Sequence, residues 1–181
     1  DEITMNSDKN AYFLSLPEIT ELSVPPKTIL LEEGRIADKL FLIRKGCLRL
    51  FFNNEGQDIT FQFFFEGDFV ASFDSLYKRT PSLFSLESIE PAELSVMKRE
   101  DFFQKPRTEA PCYGRYTRKK IIERFHVYQR LFLSRIKNTP QQRYEELLKE
   151  HPSIIQRIPQ HYIASYLGIT SVSLSRIRNR R

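Results

Sequence analysis

The last two dozen residues constrain the fold most, because they combine a helical apolar pattern with a glycine at a fixed place. Ile163, Ala164 and Leu167 recur at the spacing of one helix face. Gly168 follows where the chain must leave a helix with positive φ, a conformation that glycine adopts at little cost. Thr170 is placed to cap a second helix through its side-chain oxygen. The pattern predicts two short helices joined by a tight turn.

The second predicted helix presents a polar face on the side opposite its apolar residues. Leu174 and Ile177 are expected to face inward. The residues expected to face outward are Ser171, Val172, Ser175, Arg176 and Asn179. Such a face is what the second helix of a helix-turn-helix presents to the major groove of duplex DNA. An ordinary helical hairpin packed on a core is the alternative that this pattern leaves open.

The charge of the chain is divided unevenly along its length. Residues 1–104 contain 11 Lys and Arg against 18 Asp and Glu, a net charge of −7. Residues 105–181 contain 17 against 5, a net charge of +12. A basic segment beside an acidic one is expected where only one of them contacts a polyanion. A solvated charged face explains the charge alone, but together with the helix-turn-helix the excess indicates contacts with DNA phosphates.

Length, apolar runs and cysteine content narrow the remaining classes. A chain of 181 residues is long enough for two modest domains. No apolar run approaches the roughly 20 residues of a membrane span, and no secretory signal is recognised, so a membrane partner is not expected and the cytoplasm is the expected location. Cys47 and Cys112 are far apart in sequence, which favours packing residues over a disulfide or an iron–sulfur site.

The first half of the chain has the pattern of short strands separated by turns. Six segments have strand character: residues 28–31, 40–44, 46–52, 58–65, 83–89 and 93–97. In the longest, we expect Ile59, Phe61, Phe63 and Phe65 to form one apolar face. Many short strands at regular spacing are typical of a jelly-roll sandwich or barrel. A short helix is predicted over residues 98–103, before a proline-containing passage.

A long helical pattern follows, over residues 113–137. Apolar side chains recur every three or four residues, at Ile121, Phe125, Tyr128, Phe132 and Ile136. A stripe this broad predicts packing on the first domain along one edge and on a second copy of the chain along the other. A single core helix within one subunit is the alternative. Thr139-Pro140 then predicts the start of another helix, which ends at His151-Pro152.

The order of these parts resembles the Crp/Fnr family, the cyclic-AMP-receptor type of bacterial transcription regulator. Four segments carry the resemblance: Glu33-Gly34, residues 39–46, residues 67–70 and residues 163–177. It implies an α+β fold with a jelly-roll, cyclic-nucleotide-binding-like β-barrel (residues 1–108), a dimerisation helix (109–138) and a winged helix-turn-helix domain (139–181). The family's members are non-enzymatic homodimers, in which an effector in the barrel alters the pose of two recognition helices on a palindromic operator.

The resemblance also assigns the DNA contacts, within a helix-turn-helix that spans residues 159–179. Arg176 is implied to read a base, since a bidentate arginine–guanine pair is the commonest specific contact. The implied DNA-binding residues are Thr170, Ser171, Val172, Ser173, Ser175, Arg176 and Asn179. Among them Thr170 and Ser173 are implied to bond phosphates, as are Arg178, Arg180 and Arg181. The best-known members have an Arg-Glu pair where this chain has Ser171-Val172, so its operator should differ from theirs.

The resemblance weakens at the effector site. Cyclic-nucleotide binders of the family hold the ribose with a Glu and the cyclic phosphate with an Arg, which this chain replaces by Ser72 and by the stretch at Ser82. A loop shift that brings in Arg79 is an alternative, but cyclic AMP is not expected. The candidate pocket for another effector comprises Phe61, Phe69, Ser72, Ser82, Phe125 and Tyr128. RNA polymerase and a small molecule are implied as further partners without being identified.

Cofactors and catalysis are not indicated by the residues present. All three histidines lie in the helical half, at His126, His151 and His161, which disfavours a haem or a metal-dependent enzyme in the barrel. No metal and no cofactor is therefore expected. Two other functions stay open: a sensory or scaffolding protein whose basic helical tail binds a protein partner, and an enzyme that uses the pocket of the barrel.

Overall fold

The computed structural model describes the backbone of residues 10–104 and 111–179 and the side chains of residues 10–103 and 118–179. After a helix α1 over residues 10–14, the strands and short helices of the first half follow in this order: β1 (Thr20–Val24), β2 (Ile29–Leu31), β3 (Lys39–Lys45), β4 (Leu48–Asn54), β5 (Gln57–Phe64), β6 (Phe69–Val70), α2 (Phe73–Lys78), β7 (Ser85–Ser88), β8 (Ala92–Lys98) and α3 (Arg99–Gln104). The second half is helical: α4 (Pro111–Lys137), α5 (Pro140–Glu150), α6 (Ile154–Arg157), α7 (Gln160–Leu167) and α8 (Ser171–Asn179).

The strands form two antiparallel sheets that pack face to face. One sheet has the strand order β1-β8-β3-β6 and will be called the first sheet; the other, the second sheet, has the order β2-β7-β4-β5. Each has four strands, and the two sheets together form the jelly roll that the sequence predicts. Six predicted strands are confirmed with shifted ends. Strands β1 and β6 and helices α1, α2 and α6 were not predicted.

The predicted apolar face of β5 is wrong in its register. Leu50 on β4 pairs with Gln62, whereas the next residue, Phe51, pairs with Thr60, which leaves Phe61 as the extra residue of a bulge. A bulge reverses the alternation of side chains beyond it. Phe64 therefore lies in the sandwich interior at 1% exposure, and Phe63 faces the helices on the other side of the sheet.

Three apolar clusters stack through the molecule. The sandwich interior contains side chains from both sheets, such as Ile43, Leu94, Leu50 and Leu86. A second cluster covers the outer face of the first sheet, where Leu40 and Leu42 meet the aromatic side chains of α1, α2 and α3. A third joins the second sheet to the helical domain and includes Phe63, Phe65, Tyr144, Leu167 and Leu174. The C-terminal helices are thus packed directly on the β-domain.

The predicted start of α5 is confirmed in detail. The Thr139 hydroxyl accepts a hydrogen bond from the Gln142 backbone N–H at 3.3 Å, and the Gln142 side chain accepts one from the Thr139 N–H at 2.9 Å. Pro140 occupies the first turn, where its missing N–H costs nothing. This reciprocal capping box ends α4 and begins α5 within two residues.

Candidate nucleic-acid interface and ligand pockets

Helices α7 and α8 are the two short helices joined by a tight turn that the sequence predicts. Gly168 ends α7 in the left-handed conformation, at φ 69° and ψ 34°. The next backbone N–H, that of Ile169, donates to the Ala164 carbonyl at 3.0 Å, so the turn closes a free carbonyl of the helix end. The Thr170 hydroxyl accepts the Ser173 N–H at 3.2 Å and so caps α8. Ile163, Ala164, Leu167 and Leu174 are buried as expected.

The polar face of α8 is open to solvent. Val172 is 62% exposed, and Ser171, Ser175, Arg176 and Asn179 are exposed as well. Ser173 is half-buried, and its hydroxyl accepts a hydrogen bond from Thr170 Oγ1 at 3.1 Å. The hydroxyls of these two residues therefore already take part in the N-terminal cap of α8. Arg178 is half-buried, and Arg180 and Arg181 lie outside the described residues. The face is free to enter a groove as wide as the helix.

The charged residues of the sequence from His151 onward have one sign. From His151 to the last residue the sequence contains five arginines and no Asp or Glu. Among the described residues, no ion pair involves Arg176 or Arg178. A surface with cations and without competing carboxylates can neutralise phosphates and release the counterions bound to them.

Helix α7 is docked on strand β5 of the second sheet. Ser165 Oγ accepts the Thr60 backbone N–H at 2.9 Å and donates to the Asp58 carbonyl at 3.2 Å. The rings of Tyr166 and Phe63 lie 5.3 Å apart. Tyr162 of α7 lies with its ring 4.2 Å from the Arg49 guanidinium. The DNA-binding candidate and the β-domain therefore share one interface.

Arg49 is the centre of a buried polar group beneath α7. Its side chain is 4% exposed, and Nε donates to Glu87 at 2.6 Å while Nη1 donates to Thr60 at 2.9 Å. Asp58 lies 3.6 Å from Nη2 and is half exposed. The guanidinium also lies 3.9 Å from the centre of the Phe51 ring. The helical domain thus rests on a charge that is neutralised within the sheet.

Two further contacts hold α6 and the end of α5 against the same sheet. Arg157 donates to both carboxylate oxygens of Glu66, at 2.7 and 3.0 Å, and its Nε donates to Glu90 at 3.0 Å. Burial raises the pKa of Glu66, but the hydrogen bonds from Arg157 and from the backbone outweigh it, so the pKa is lowered. The His151 ring stacks on Phe65 at 3.9 Å, and its burial lowers the His151 pKa.

The two serines at the predicted cyclic-nucleotide anchors contact each other. Ser82 Oγ lies 2.9 Å from Ser72 Oγ, within hydrogen-bond distance, and both residues are buried, at 3% and 4% exposure. The cavity beside Ser72 has a volume of about 10 Å³, no more than a single water needs. Arg79 is exposed at the left-handed C-cap of α2 and does not reach this place.

A larger cavity lies elsewhere, between the outer face of the first sheet and α4. Its volume is about 550 Å³, in the range of small-molecule sites. Three residues of the predicted pocket line it: Phe69, Phe125 and Tyr128. Phe61 does not, since its ring packs against Phe84 at 5.3 Å and its carbonyl accepts a hydrogen bond from Arg135. The structure thus divides the predicted pocket between three places.

The cavity contains residues that were not predicted to belong to a site. Arg124 and Asp68 line it, together with aromatic side chains of α1, α2 and α3. The sequence did contain a signal for the aromatic residues, because Tyr12-Phe13, Phe73 and Phe102-Phe103 are aromatic side chains within otherwise largely polar segments. It was missed because helices shorter than two turns show no apolar stripe.

An apolar stripe on α4 is uncovered. Seven large side chains there are between 39% and 66% exposed: Ile121, Ile122, Phe125, Tyr128, Phe132, Leu133 and Ile136. Isolated apolar residues are ordinary on protein surfaces, but seven on one helix form a continuous patch. Among the described residues, no helix is long and apolar enough to span a membrane, and no three His, Cys, Asp or Glu are grouped to hold a metal ion.

Comparison with known proteins places the fold. Residues 21–108 match the family model of the cyclic nucleotide-binding domain. FixK2 from Bradyrhizobium japonicum superposes with a TM-score of 0.74 at 17% identity, over 90% of this chain and 83% of that one. The c-di-GMP-responsive global regulator CLP from Xanthomonas campestris superposes with a TM-score of 0.70 at 16% sequence identity. The match covers 96% of this chain and 90% of that one. The catabolite activator protein of Thermus thermophilus superposes with a TM-score of 0.55 at 20% sequence identity. The match covers 96% of this chain and 82% of that one. By sequence alone, no curated protein matches significantly.

Proposed function

We propose that this chain, which contains a cyclic nucleotide-binding domain and has the fold of the Crp/Fnr regulators, is a DNA-binding regulator of transcription. The observation that carries the proposal is the open face of α8. It stands on a helix-turn-helix whose turn, cap and buried residues are all formed, and it presents Ser171, Val172 and Arg176 to solvent. The absence of acidic residues after Glu150 in the sequence supports the same conclusion.

Each exposed side chain of α8 suits a particular contact with duplex DNA. Arg176 can donate two parallel hydrogen bonds to the O6 and N7 atoms of a guanine. Val172 offers a methyl-sized apolar surface to thymine. Ser171, Ser175 and Asn179 can donate to base edges or to phosphates, and Thr170 and Ser173 lie at the helix N-terminus, which favours a phosphate. These DNA-binding assignments are part of the proposal.

A second copy of the chain is the proposed cover of the α4 stripe. Two such stripes pack against each other in a parallel pair and remove both from water. The pair would place two α8 helices symmetrically, so the operator is a palindrome with half-sites about one helical turn of DNA apart. Sedimentation of Phe132→Glu against the matched surface variant Gln129→Glu tests this. We expect a monomer for the first and a dimer for the second; two dimers would contradict the assignment.

Cyclic AMP is not the proposed effector of this regulator. The family's anchors, a carboxylate for the ribose and an arginine for the phosphate, are replaced by the buried and mutually bonded Ser72 and Ser82. Placing a cyclic phosphate there without a cation would leave a buried charge unpaired, which costs several kcal/mol. The adjoining cavity of about 10 Å³ would also have to open. The regulator is therefore expected to act without cyclic AMP. Its proposed location is the cytoplasm, and its proposed protein partner is RNA polymerase.

The proposal is tested by selection of bound duplexes from a random pool, with and without cyclic AMP. We expect enrichment of a palindrome that is the same in both arms. Arg176→Ala should relax preference at one base pair per half-site, because each bidentate contact is worth roughly 1–3 kcal/mol. Arg35→Ala is the control, since Arg35 is an exposed arginine in the β-domain.

Three results would change the conclusion. Enrichment only in the presence of cyclic AMP would show that the serine pair opens to admit the nucleotide. An unchanged preference for Arg176→Ala would remove Arg176 from base reading. Purely salt-sensitive binding without any enriched sequence would favour the alternative, in which the basic helices bind a protein partner and bind DNA only through charge.

A further inference from the structure

The cavity of about 550 Å³ lies outside the sandwich, at the outer face of the first sheet. Leu40 of β3 forms its floor, residues of α1, α2 and α3 form two of its sides, and α4 lines the remaining side. The cavity is therefore a different place from the small space beside Ser72, which lies among Leu30, Leu31 and Leu86. A ligand could occupy it without moving the serine pair.

Half of the residues that line the cavity are aromatic. The rings that line it include Phe13, Phe69, Phe73, Phe102, Phe125 and Tyr128. Phe13 and Phe69 meet edge to face, with centroids 4.8 Å apart, which fixes both rings. Fixed aromatic walls bind an alkyl chain or an aryl ring by removing apolar surface from water. The walls alone do not distinguish an acid from an alcohol or an amine.

Arg124 supplies that distinction. Its guanidinium lies 4.3 Å from the ring of Phe64 and 4.8 Å from the ring of Tyr128, and it lines the cavity. Its Nε atom is buried and has no hydrogen-bond partner among the described residues. A buried donor without an acceptor is unfavourable, more so when it carries charge. A carboxylate is the acceptor that fits a guanidinium best, because its two oxygens match the fork of N–H groups.

The acidic residues at the cavity already have partners. Glu123 lies 3.3 Å from the Lys120 ammonium and 4.0 Å from that of Lys119. Asp68 accepts the Phe65 backbone N–H at 2.9 Å. Burial raises the pKa of Asp68, although the Phe65 N–H and the positive charges of Arg124 and Lys120 oppose the rise. The donor without a partner at the cavity is thus the Arg124 Nε atom, whereas Glu123 and Asp68 each have a partner, which favours an anion over a cation.

We infer that this cavity binds an amphipathic carboxylic acid, with its carboxylate on Arg124 and its alkyl or aryl body between the aromatic side chains. The inference goes beyond the proposed function and is measured without DNA, so that either can fail alone. Since α4 both lines the cavity and carries the exposed stripe, an acid bound there would contact the same helix that is proposed to form the dimer.

The chain contains no tryptophan, so a single introduced one reports on the cavity. The test uses full-length Phe73→Trp, whose indole lines the cavity, and Phe52→Trp, in which the indole packs on the second sheet away from it. Each is titrated with decanoate, decan-1-ol and decyltrimethylammonium. We expect a saturable change for decanoate in Phe73→Trp, weaker binding of the alcohol, weakest binding of the cation, and no change in Phe52→Trp.

Arg124→Gln in the Phe73→Trp background tests the anchor. We expect it to weaken decanoate about tenfold or more, the usual worth of a charge-assisted hydrogen bond, and to leave decan-1-ol unchanged. Unchanged thermal unfolding shows that the variant is folded. Equal affinities for acid and alcohol, an Arg124→Gln variant that binds decanoate as well as its parent, or an equal response of Phe52→Trp would each overturn the inference. So would no saturable binding, as expected if a second copy of the chain fills the cavity.

Discussion

Replacing Arg49 by methionine is expected to destabilise the protein strongly, although Arg49 is outside every proposed ligand or DNA contact. Methionine fills much of the same space, so the change removes charge more than volume. Glu87, with a side chain only 11% exposed, would lose the Nε hydrogen bond at 2.6 Å and the buried cation that neutralises it. Asp58 is half exposed and would stay solvated.

The expected cost follows from these contacts. Breaking a buried ion pair by removing one partner costs about 3–5 kcal/mol, because the remaining charge is left unneutralised. Loss of the cation–π contact to Tyr162 adds to the cost at the interface with α7. For a chain of this length, each kcal/mol lowers Tm by roughly 2–4 °C, so a fall of roughly 6–20 °C is expected.

The assay is a double-mutant cycle followed by thermal and urea unfolding. Arg49→Met and Glu87→Leu are each measured alone and then together. We expect each single variant to be clearly destabilised and the double variant to recover most of the loss, because replacing both members of a buried pair by apolar residues is often neutral. Lys45→Met, at a largely exposed ion pair with Glu93, is the control and should cost under about 1 kcal/mol.

Two results would refute this reasoning. A cost below about 1 kcal/mol for Arg49→Met would show that Glu87 finds water or another donor once the arginine is gone. Additive losses in the double variant would show that the two residues act independently, whatever their distance in the structure.

Three other predictions concern the turn, the pH dependence and the nucleotide. Gly168→Ala should cost about 1–2 kcal/mol because of its φ of 69°, and Gly168→Asn less; equal losses in thermal unfolding would contradict a purely conformational cause. Because burial lowers the pKa of His151, the unfolded chain binds a proton more readily, so stability should fall as pH decreases through about 6.5. Urea midpoints between about pH 8 and pH 5.5 should show this fall in the wild type and a smaller one in His151→Phe; parallel curves would exclude His151 as the source. Cyclic AMP at a hundred times a given Kd would add about 2.7 kcal/mol to a protein that binds it, so the absence of a Tm shift is expected and a clear rise would contradict the proposal.

Helices α7 and α8 show which features can be predicted from neighbouring residues in the sequence. Gly168, the cap at Thr170 and the buried Leu174 were all predicted, and all are found. Each depends on residues within one or two helical turns, so periodicity and capping chemistry are sufficient. The start of α5 at Thr139-Pro140 was predicted for the same reason. The direct contacts of these helices with DNA stay predictions.

The β-domain shows which features cannot be predicted from neighbouring residues in the sequence. The bulge at Phe61 depends on how β5 pairs with β4, and a shift of one residue exchanges the two faces of a strand. The predicted pocket was divided for a similar reason. Phe69 and Tyr128 came together across 59 positions of sequence, whereas Ser72 and Ser82 closed on each other. Pairing between distant segments is fixed by packing of the whole chain.

By itself the sequence determined the order of a strand-rich acidic half and a helical basic half, because composition and periodicity are read within short windows. It also determined which side of α8 faces solvent. Only the tertiary structure decided that α7 packs on β5 above Arg49, whose charge is neutralised by Glu87. It also decided that Ser72 and Ser82, at the predicted cyclic-nucleotide anchors, lie against each other, and that a cavity lined by aromatic side chains and Arg124 lies beside α4. These features join residues far apart in the chain, and their positions follow from the packing of two sheets and several helices at once.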